Sequence, residues 1–305
     1  MKRAIFILFT GILFYTNSSQ ACDACGCSTS MSYLGIVPMT QNHLIGLRYN
    51  FQSFDHPITS VSSSGEGLVL QDRFHTTEIW GRYSANERLH IFYSIPYRYN
   101  QRVEENGHSA ASGIGDIQLM ANYNLIIQDV DTANWKHFLR VGLHTGLPTG
   151  KFMQRDPNKA MYPLWFQVGT GSWGFGLQTF YTVRYKKVGL NTNVRWTYLT
   201  QNELDYQPGS RLVSSLQGFY WLNVGRLTLL PQIGVNMEHF EMDQQYEADV
   251  IETGGTRMST AIGLDMYLDN ALISIFASQP FWQNIPDEQP AATPNIGFSV
   301  AYYIN

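Results

Sequence analysis

Three cysteines near the start of the chain are the first residues that could do chemistry. They follow the pattern Cys22-x-x-Cys25-x-Cys27, and thiolate ligands favour soft metal ions such as Cu(I) and Zn(II). The spacing therefore predicts a copper or zinc site, which is the only cofactor that the sequence suggests.

Two other interpretations of these cysteines stay open. In the first, Cys22 is acylated as in a lipoprotein, which leaves Cys25 and Cys27 as a pair. In the second, two of the cysteines form a disulfide and the third is idle or bonds to a partner. The chain has 3 cysteines in all, so disulfides do not staple the fold.

A second group with chemical capacity consists of charged residues embedded in apolar, extended segments. Arginines outnumber carboxylates in this group, although the whole chain has a net charge of -4. If the group lines a water-filled passage, it favours anions, because the charge of a pore wall sets its selectivity. If the interior is narrow, arginine–carboxylate pairs fill it instead. The candidate lumen-lining residues are Arg48, Glu78, Arg82, Arg98, Asp116, Arg140, Arg184, Arg195, Glu238, Arg257 and Asp265.

Catalytic chemistry finds little support in the sequence. A lipid hydrolase needs a serine nucleophile beside a histidine base, and His90, His144 and Ser94 are the candidates. No nucleophile motif frames any of them, and no glycine cluster is followed by the Lys-Ser/Thr of a phosphate loop. We expect no catalytic residue and no enzymatic activity.

The elements that must position these residues are β-strands. From Leu44 onward, apolar and polar residues alternate with a period of two, as at 44–52, 89–98 and 190–198. The segments run about 10–13 residues, whereas strands of soluble proteins typically have about 5–6. That length lets a tilted strand cross the hydrocarbon of a membrane.

Composition agrees with a membrane β-barrel. Charged residues make up 14% of the chain and aromatic residues another 14%, against about 25% charged residues in soluble domains. This composition excludes a disordered chain, and the balance of charge excludes the basic face of a nucleic-acid binder. A soluble β-sandwich or propeller is the competing fold, because alternation alone does not distinguish a core from lipid.

Short turns alternate with long polar loops along the chain, which is typical of outer-membrane barrels; residues 100–113 are predicted to form one of these loops. Strict alternation requires residues 164–171 to extend the strand that follows them. The sequence then predicts an all-β fold, a transmembrane antiparallel up-and-down barrel of about 12 strands with both termini periplasmic.

The first 21 residues predict a secretory signal peptide. Lys2 and Arg3 precede an apolar run, and Ser19 and Ala21 supply the small residues before the cut. The run is too short for a membrane-spanning helix, which needs about 20 residues. We therefore predict three parts: a signal peptide at 1–21, a cysteine-rich periplasmic segment at 22–42, and an outer-membrane barrel at 43–305.

Three short motifs in order carry a resemblance to a known family. They are Gly-Ile-Gly-Asp at 113–116, Gly-Leu-Pro-Thr-Gly at 146–150 and Gln-Val-Gly-Thr-Gly-Ser-Trp at 167–173. Over roughly residues 75–305 the chain resembles the outer-membrane barrel family named after the MetA pathway of phenol degradation. The cysteine-rich segment lies outside the shared part and resembles the amino-terminal segment of a subset of such barrels. At the other end, the chain closes on Tyr-Tyr-Ile-Asn and so departs from the terminal aromatic residue that is usual in these barrels.

The resemblance implies a barrel in the outer membrane of a Gram-negative bacterium that transports hydrophobic or aromatic compounds. Together with the arginine-rich face, it predicts a channel for a small solute, with an anion or an aromatic compound as the candidates. The alternative is an accessory protein anchored by its barrel, whose cysteine segment binds a soft metal or contacts a periplasmic redox or metal-handling partner. The expected partners are outer-membrane lipid and the solute.

Overall fold

The computed structural model describes residues 42–55, 71–104, 107–128, 134–251, 253–286 and 291–304. The predicted signal peptide and cysteine segment lie outside these residues, apart from Asn42. Twelve long strands carry the fold in the described part. They are β1 (His43–Asp55), β2 (Gln71–Ser84), β3 (Leu89–Glu104), β4 (Ile117–Gln128), β5 (Trp135–Leu147), β6 (Gly174–Tyr185), β7 (Val188–Leu199), β8 (Arg211–Tyr220), β9 (Leu227–Phe240), β10 (Gly255–Leu268), β11 (Ala271–Asn284) and β12 (Asn295–Ile304).

The twelve strands form one closed antiparallel barrel. Each strand pairs with its neighbours in sequence, and β12 pairs with β1 to complete the ring. Closure leaves no strand with an unpaired edge, so backbone groups find partners all round the wall. The prediction of an antiparallel barrel of about 12 strands is confirmed.

The connections divide between the two ends of the barrel. At the turn end, 85–88, 186–187, 225–226 and 269–270 are tight connections, and the chain also reaches this end at His43 and Ile304. The loop end carries the long excursions between β5 and β6, β7 and β8, and β9 and β10. Two of these excursions are tied together, because Gln244–Gln245 pairs with both Tyr206–Gln207 and Ala248–Asp249.

Two predictions about the loop end are wrong. Of residues 100–113, which we expected to be a loop, 100–104 and 107–113 are strand: β3 runs on to Glu104 and pairs with Gly107–Ile114. Residues 164–171, which we expected to extend β6, instead form a short 3-10 helix at Leu164–Phe166 and a loop. Their alternating apolar side chains resemble a strand, but Phe166 and Val168 are buried against the inner wall.

Because successive side chains of a strand point to opposite faces, the barrel has an apolar outer surface and a polar inner surface. Outward side chains are mostly aliphatic or aromatic, and Leu47, Leu143, Leu177, Ile233 and Ile262 are each more than half exposed. A continuous apolar surface of this kind marks an interaction surface. The inward positions carry the charged and amide side chains that make up most of the buried polar residues.

Within the described ranges, no helix is long and apolar enough to cross a membrane.

Candidate functional site: the interior of the barrel

The structure places ten of the eleven predicted lumen-lining side chains inside the barrel, each at most 8% exposed. The exception is Arg184, which is half-buried near the turn end with its guanidinium 4.5 Å from the ring centre of Trp221. The buried ten are Arg48, Glu78, Arg82, Arg98, Asp116, Arg140, Arg195, Glu238, Arg257 and Asp265.

Ion pairs in the middle of the barrel join neighbouring strands. Arg48 on β1 lies directly opposite Glu78 on β2, with Nη1 and Oε1 3.7 Å apart. Glu238 on β9 lies directly opposite Arg257 on β10, and the two side chains form a hydrogen-bonded ion pair. Because both pairs lie along the wall, they neutralise charge without bridging the interior.

Arg195 on β7 completes this group, which we name the central belt: Arg48, Glu78, Arg195, Glu238 and Arg257. Its guanidinium interacts electrostatically with Glu238 and with the pair of Arg48 and Glu78. Strand β7 stands opposite β1 in the order of the barrel. Charges from opposite walls therefore meet here, and three arginines face two carboxylates.

The half of the interior nearest the turn end is basic and lined by aromatic rings. Arg140 donates from Nε to Asn124 Oδ1 at 3.0 Å, and its guanidinium lies 5.5 Å from the ring centre of Phe92 and 5.9 Å from that of Phe180. Arg82 donates to the backbone oxygen of Asn42 at 3.0 Å. The aromatic rings narrow this half of the barrel and present their negative faces to the cations.

Asp265 supplies the carboxylate of this half. It accepts a hydrogen bond from Gln232 Nε2 at 2.6 Å and is fully buried. Trp80 on β2 is also buried and donates from Nε1 to Ser299 Oγ at 3.1 Å.

The segment between β5 and β6, residues 148–173, folds back into the loop end, and we name it the inserted segment. Its Phe166 and Val168 are fully buried in a cluster with Phe54, Phe74 and other inward side chains of the wall. Polar contacts hold its backbone: Asn100 Nδ2 donates to the oxygen of Phe166 at 2.8 Å, and Arg98 Nη1 donates to that of Val168 at 3.2 Å. The inserted segment thus narrows the interior at this end.

One carboxylate anchors the inserted segment at both of its ends. Asp116 Oδ1 accepts the backbone N–H of Gly150 at 2.9 Å, and Oδ2 accepts the N–H and hydroxyl of Thr170 at 2.9 and 2.7 Å. We name Asp116, Gly150 and Thr170 the Asp116 latch. These residues come from the three motifs that carried the family resemblance, so the motifs meet in space at a single point.

A close backbone approach explains Gly150 of the latch and Gly169, the neighbour of Thr170. A Cβ on Gly150 would lie 2.7 Å from the Cα of Gly169, and a Cβ on Gly169 would lie 2.6 Å from the carbonyl carbon of Gly150. Side chains at these positions would push the two ends of the inserted segment apart.

Sequence reasoning missed three charged residues at the loop end. Asp72 and Arg102 form a two-point ion pair, with both N–O distances 2.7 Å, and Arg211 is the first residue of β8. Each of the three lies an even number of residues from an inward-facing residue of its strand, so its side chain also points inward. Arg102 was missed because residues 100–113 were expected to be a loop, whereas β3 runs on to Glu104. Asp72 and Arg211 lie within two residues of the start of their strands.

Three cavities lie along the interior. The outer cavity, of about 220 Å³, lies between the inserted segment and the loop-end excursions, and Arg211 and Thr170 line it. The inner cavity, of about 70 Å³, shares these two residues and also contacts Arg98, Asp116 and Arg195. A third, of about 40 Å³, touches Glu238 and Arg257. The cavities thus follow the arginine-rich wall from the loop end to the central belt.

The histidines and serine considered for catalysis are engaged elsewhere. Ser94 donates to Glu78, His90 bonds Ser84 and Asn124, and His144 bonds Thr197 at 2.8 Å. In the part of the chain that the structure covers, no group of three or more His, Cys, Asp or Glu is placed to hold a metal ion. The predicted ligands Cys22, Cys25 and Cys27 lie outside that part.

Comparisons with known proteins bear on the fold. No protein-family model matches the chain, and no curated protein does. Among solved structures, the chain is similar to an outer membrane channel from Pseudomonas putida F1, with a TM-score of 0.63 and 14% identity over 86% of this chain and 96% of that one. A weaker similarity is to the NanC porin, with a TM-score of 0.46 and 10% identity over 85% of this chain and 98% of that one. Another is to the CymD monoaromatic hydrocarbon channel, with a TM-score of 0.41 and 10% identity over 87% of this chain and 89% of that one.

Proposed function

We propose that this protein is an outer-membrane channel that passes small solutes and favours anions. The observation that carries the proposal is the inner wall, where arginines exceed carboxylates and the ion pairs lie along the wall beside a row of cavities. A wall of this charge attracts anions and repels cations, because fixed charge sets the selectivity of a narrow pore.

The outer surface supports a membrane location. Its aliphatic belt would be costly in water and is what hydrocarbon requires of a barrel wall. Pairing of every strand all round satisfies the backbone without water. The shared fold with a bacterial outer membrane channel supports the same location.

The test is the conductance of the refolded mature chain in a planar bilayer, with selectivity measured from the reversal potential in a salt gradient. We expect Arg195→Gln to lower the ratio of anion to cation permeability by about fivefold, since a unit charge about 4 Å away through water contributes about 1 kcal/mol. Arg140→Gln should act in the same direction.

Arg226→Gln is the matched control. Arg226 lies on a turn, its side chain is 89% exposed, and it faces Asp269 at 3.8 Å, so its loss removes the same charge outside the lumen. A ratio that changes equally in Arg195→Gln and Arg226→Gln would refute a selective basic lumen. A silent bilayer, with a heat-modifiable gel band showing a folded barrel, would refute an open channel.

The cysteine spacing favours a second candidate function, the barrel-anchored accessory protein that binds copper or zinc. In that case Cys25→Ser and Cys27→Ser should abolish stoichiometric uptake of Cu(I) or Zn(II), whereas Arg195→Gln should not. A channel should show the reverse pattern, with conductance unchanged by the cysteine substitutions.

A further inference from the structure

The outer cavity combines apolar walls with one available cationic group. Phe152, Trp165, Tyr206 and Val250 contribute apolar surface, and the charged residues that line it are Arg211 and Asp243. A volume of about 220 Å³ is below the roughly 300–1,000 Å³ of pockets for drug-sized ligands. The cavity is therefore suited to a molecule with a single ring.

The carboxylate in this cavity is already occupied by protein donors. Asp243 Oδ1 accepts the backbone N–H of Gly209 at 2.6 Å, and Oδ2 accepts the hydroxyl of Tyr206. Asp243 thereby fixes the two loop-end excursions to each other and forms no ion pair with Arg211.

Arg211 has hydrogen-bonding capacity to spare. Its Nε is buried and has no hydrogen-bond partner, and its guanidinium lies 5.8 Å from the ring centre of Phe240. No ion pair to Arg211 is formed among the described residues. A buried cationic donor without a partner is costly, and a planar carboxylate satisfies a guanidinium best because it accepts two parallel hydrogen bonds.

Arg211 also stands where two cavities meet, since it lines both the outer and the inner one. On the neighbouring strand, Arg211 pairs with Thr197 and Val213 pairs with Arg195. Arg195 is thus one inward position deeper, about 7 Å along the strand. A carboxylate released by Arg211 would meet Arg195 next.

We infer that the outer cavity binds a small aromatic carboxylate, with its ring against Phe152, Trp165 and Tyr206 and its carboxylate on Arg211. The inference rests on the proposed function and names the solute class that the channel accepts. An inorganic anion would leave the apolar walls unused, and a neutral hydrocarbon would leave Arg211 without a partner.

The test uses the refolded mature chain in detergent micelles and calorimetric titration with three probes. Benzoate carries ring and charge, benzamide carries the ring without the charge, and acetate carries the charge without the ring. We expect benzoate to bind at least about tenfold more tightly than either of the others, since the charge-assisted hydrogen bonds that benzamide lacks and the burial of the ring that acetate lacks each contribute this much or more. Equal affinity for benzoate and benzamide, or for benzoate and acetate, would overturn the inference.

Two substitutions locate the site. Arg211→Gln should reduce the affinity for benzoate to that for benzamide, and Arg211→Lys should retain part of the preference, because lysine keeps the charge but lacks the planar fork. Arg226→Gln should leave all three affinities unchanged. Undiminished benzoate binding by a folded Arg211→Gln variant would place the site elsewhere. The comparison of the three probes on the unmodified chain needs no variant and decides the matter if Arg211→Gln does not fold.

The inference and the proposed function fail in different ways. Anion-selective conductance without a preference for benzoate would overturn the inference alone. Benzoate binding that depends on Arg211 in a barrel that conducts no ions would overturn the channel and leave the binding site standing.

Discussion

Replacing Asp116 by asparagine should release the inserted segment while the barrel stays intact. The carboxylate accepts hydrogen bonds from Gly150 and Thr170 at both ends of that segment. An asparagine retains one acceptor oxygen, and its amino group faces an N–H donor at the other position. At least one charge-assisted hydrogen bond is lost, and the remaining ones lose the charge.

The magnitude follows from these contacts. Hydrogen bonds to a charged group contribute about 1.5–3 kcal/mol each, so we expect the local opening free energy of the segment to fall by about 2–4 kcal/mol. At about 1.4 kcal/mol per factor of ten, the equilibrium constant for opening should rise roughly 30- to 1,000-fold. The strand ladders of the wall do not involve this carboxylate, so their exchange should not change.

Hydrogen exchange followed by mass spectrometry measures this directly. Where closing is faster than exchange, the rates for peptides from residues 148–173 report the opening constant, and peptides from β9 and β10 serve as the internal reference. Asp249→Asn is the control, because it removes an equal charge from an exposed loop position that accepts one hydrogen bond from Gln244. Exchange within twofold of the unmodified chain would refute the latch. Faster exchange throughout the barrel would refute its local character.

Two further predictions concern the latch and the central belt. Gly150→Ala should accelerate exchange of the inserted segment as Asp116→Asn does, because its Cβ would meet Gly169 at 2.7 Å; an unaltered exchange rate would show that the contact relaxes without cost. Glu238→Gln should raise the preference for anions in the reversal-potential measurement, because it leaves Arg257 and Arg195 with one carboxylate fewer. The same substitution should lower the temperature at which the gel band converts to the unfolded form, because it leaves the buried Arg257 without its carboxylate. A shift of selectivity toward cations in Glu238→Gln would contradict the conclusion that the charge of the central belt sets selectivity.

Most of the wall could be predicted from the sequence because a strand has a period of two. Once Leu47 and Tyr49 are placed on the outer face, Arg48 must point inward, and the same parity places Arg140 and Arg195. The outward residues are exposed and the inward ones buried as this parity requires. The period of two does not, however, say which inward charges form pairs, because pairing depends on the hydrogen-bond register between neighbouring strands.

The loop end could not be predicted in the same way. The alternating pattern of residues 164–171 fits a strand, but an apolar segment can also bury its side chains against the inner wall, as Phe166 does. The motifs around Asp116, Gly150 and Thr170 are visible in the sequence. Their meeting in space is not visible, because it depends on the path of a segment whose only regular element among the described residues is one turn of 3-10 helix. The position of Arg211 at the junction of two cavities depends on the same path.

The ion pairs of the central belt have a consequence for how the barrel enters a membrane. Arg48 and Glu78 belong to adjacent strands β1 and β2, and Glu238 and Arg257 belong to adjacent strands β9 and β10. Each pair therefore lies within one hairpin. An isolated charge at the centre of a bilayer is costly, but a hairpin that has already joined its own arginine and carboxylate carries no net charge at that depth. The neutral units can reach the hydrocarbon before the ring is complete, whereas Arg195 meets Glu78 of the far wall only when the ring closes.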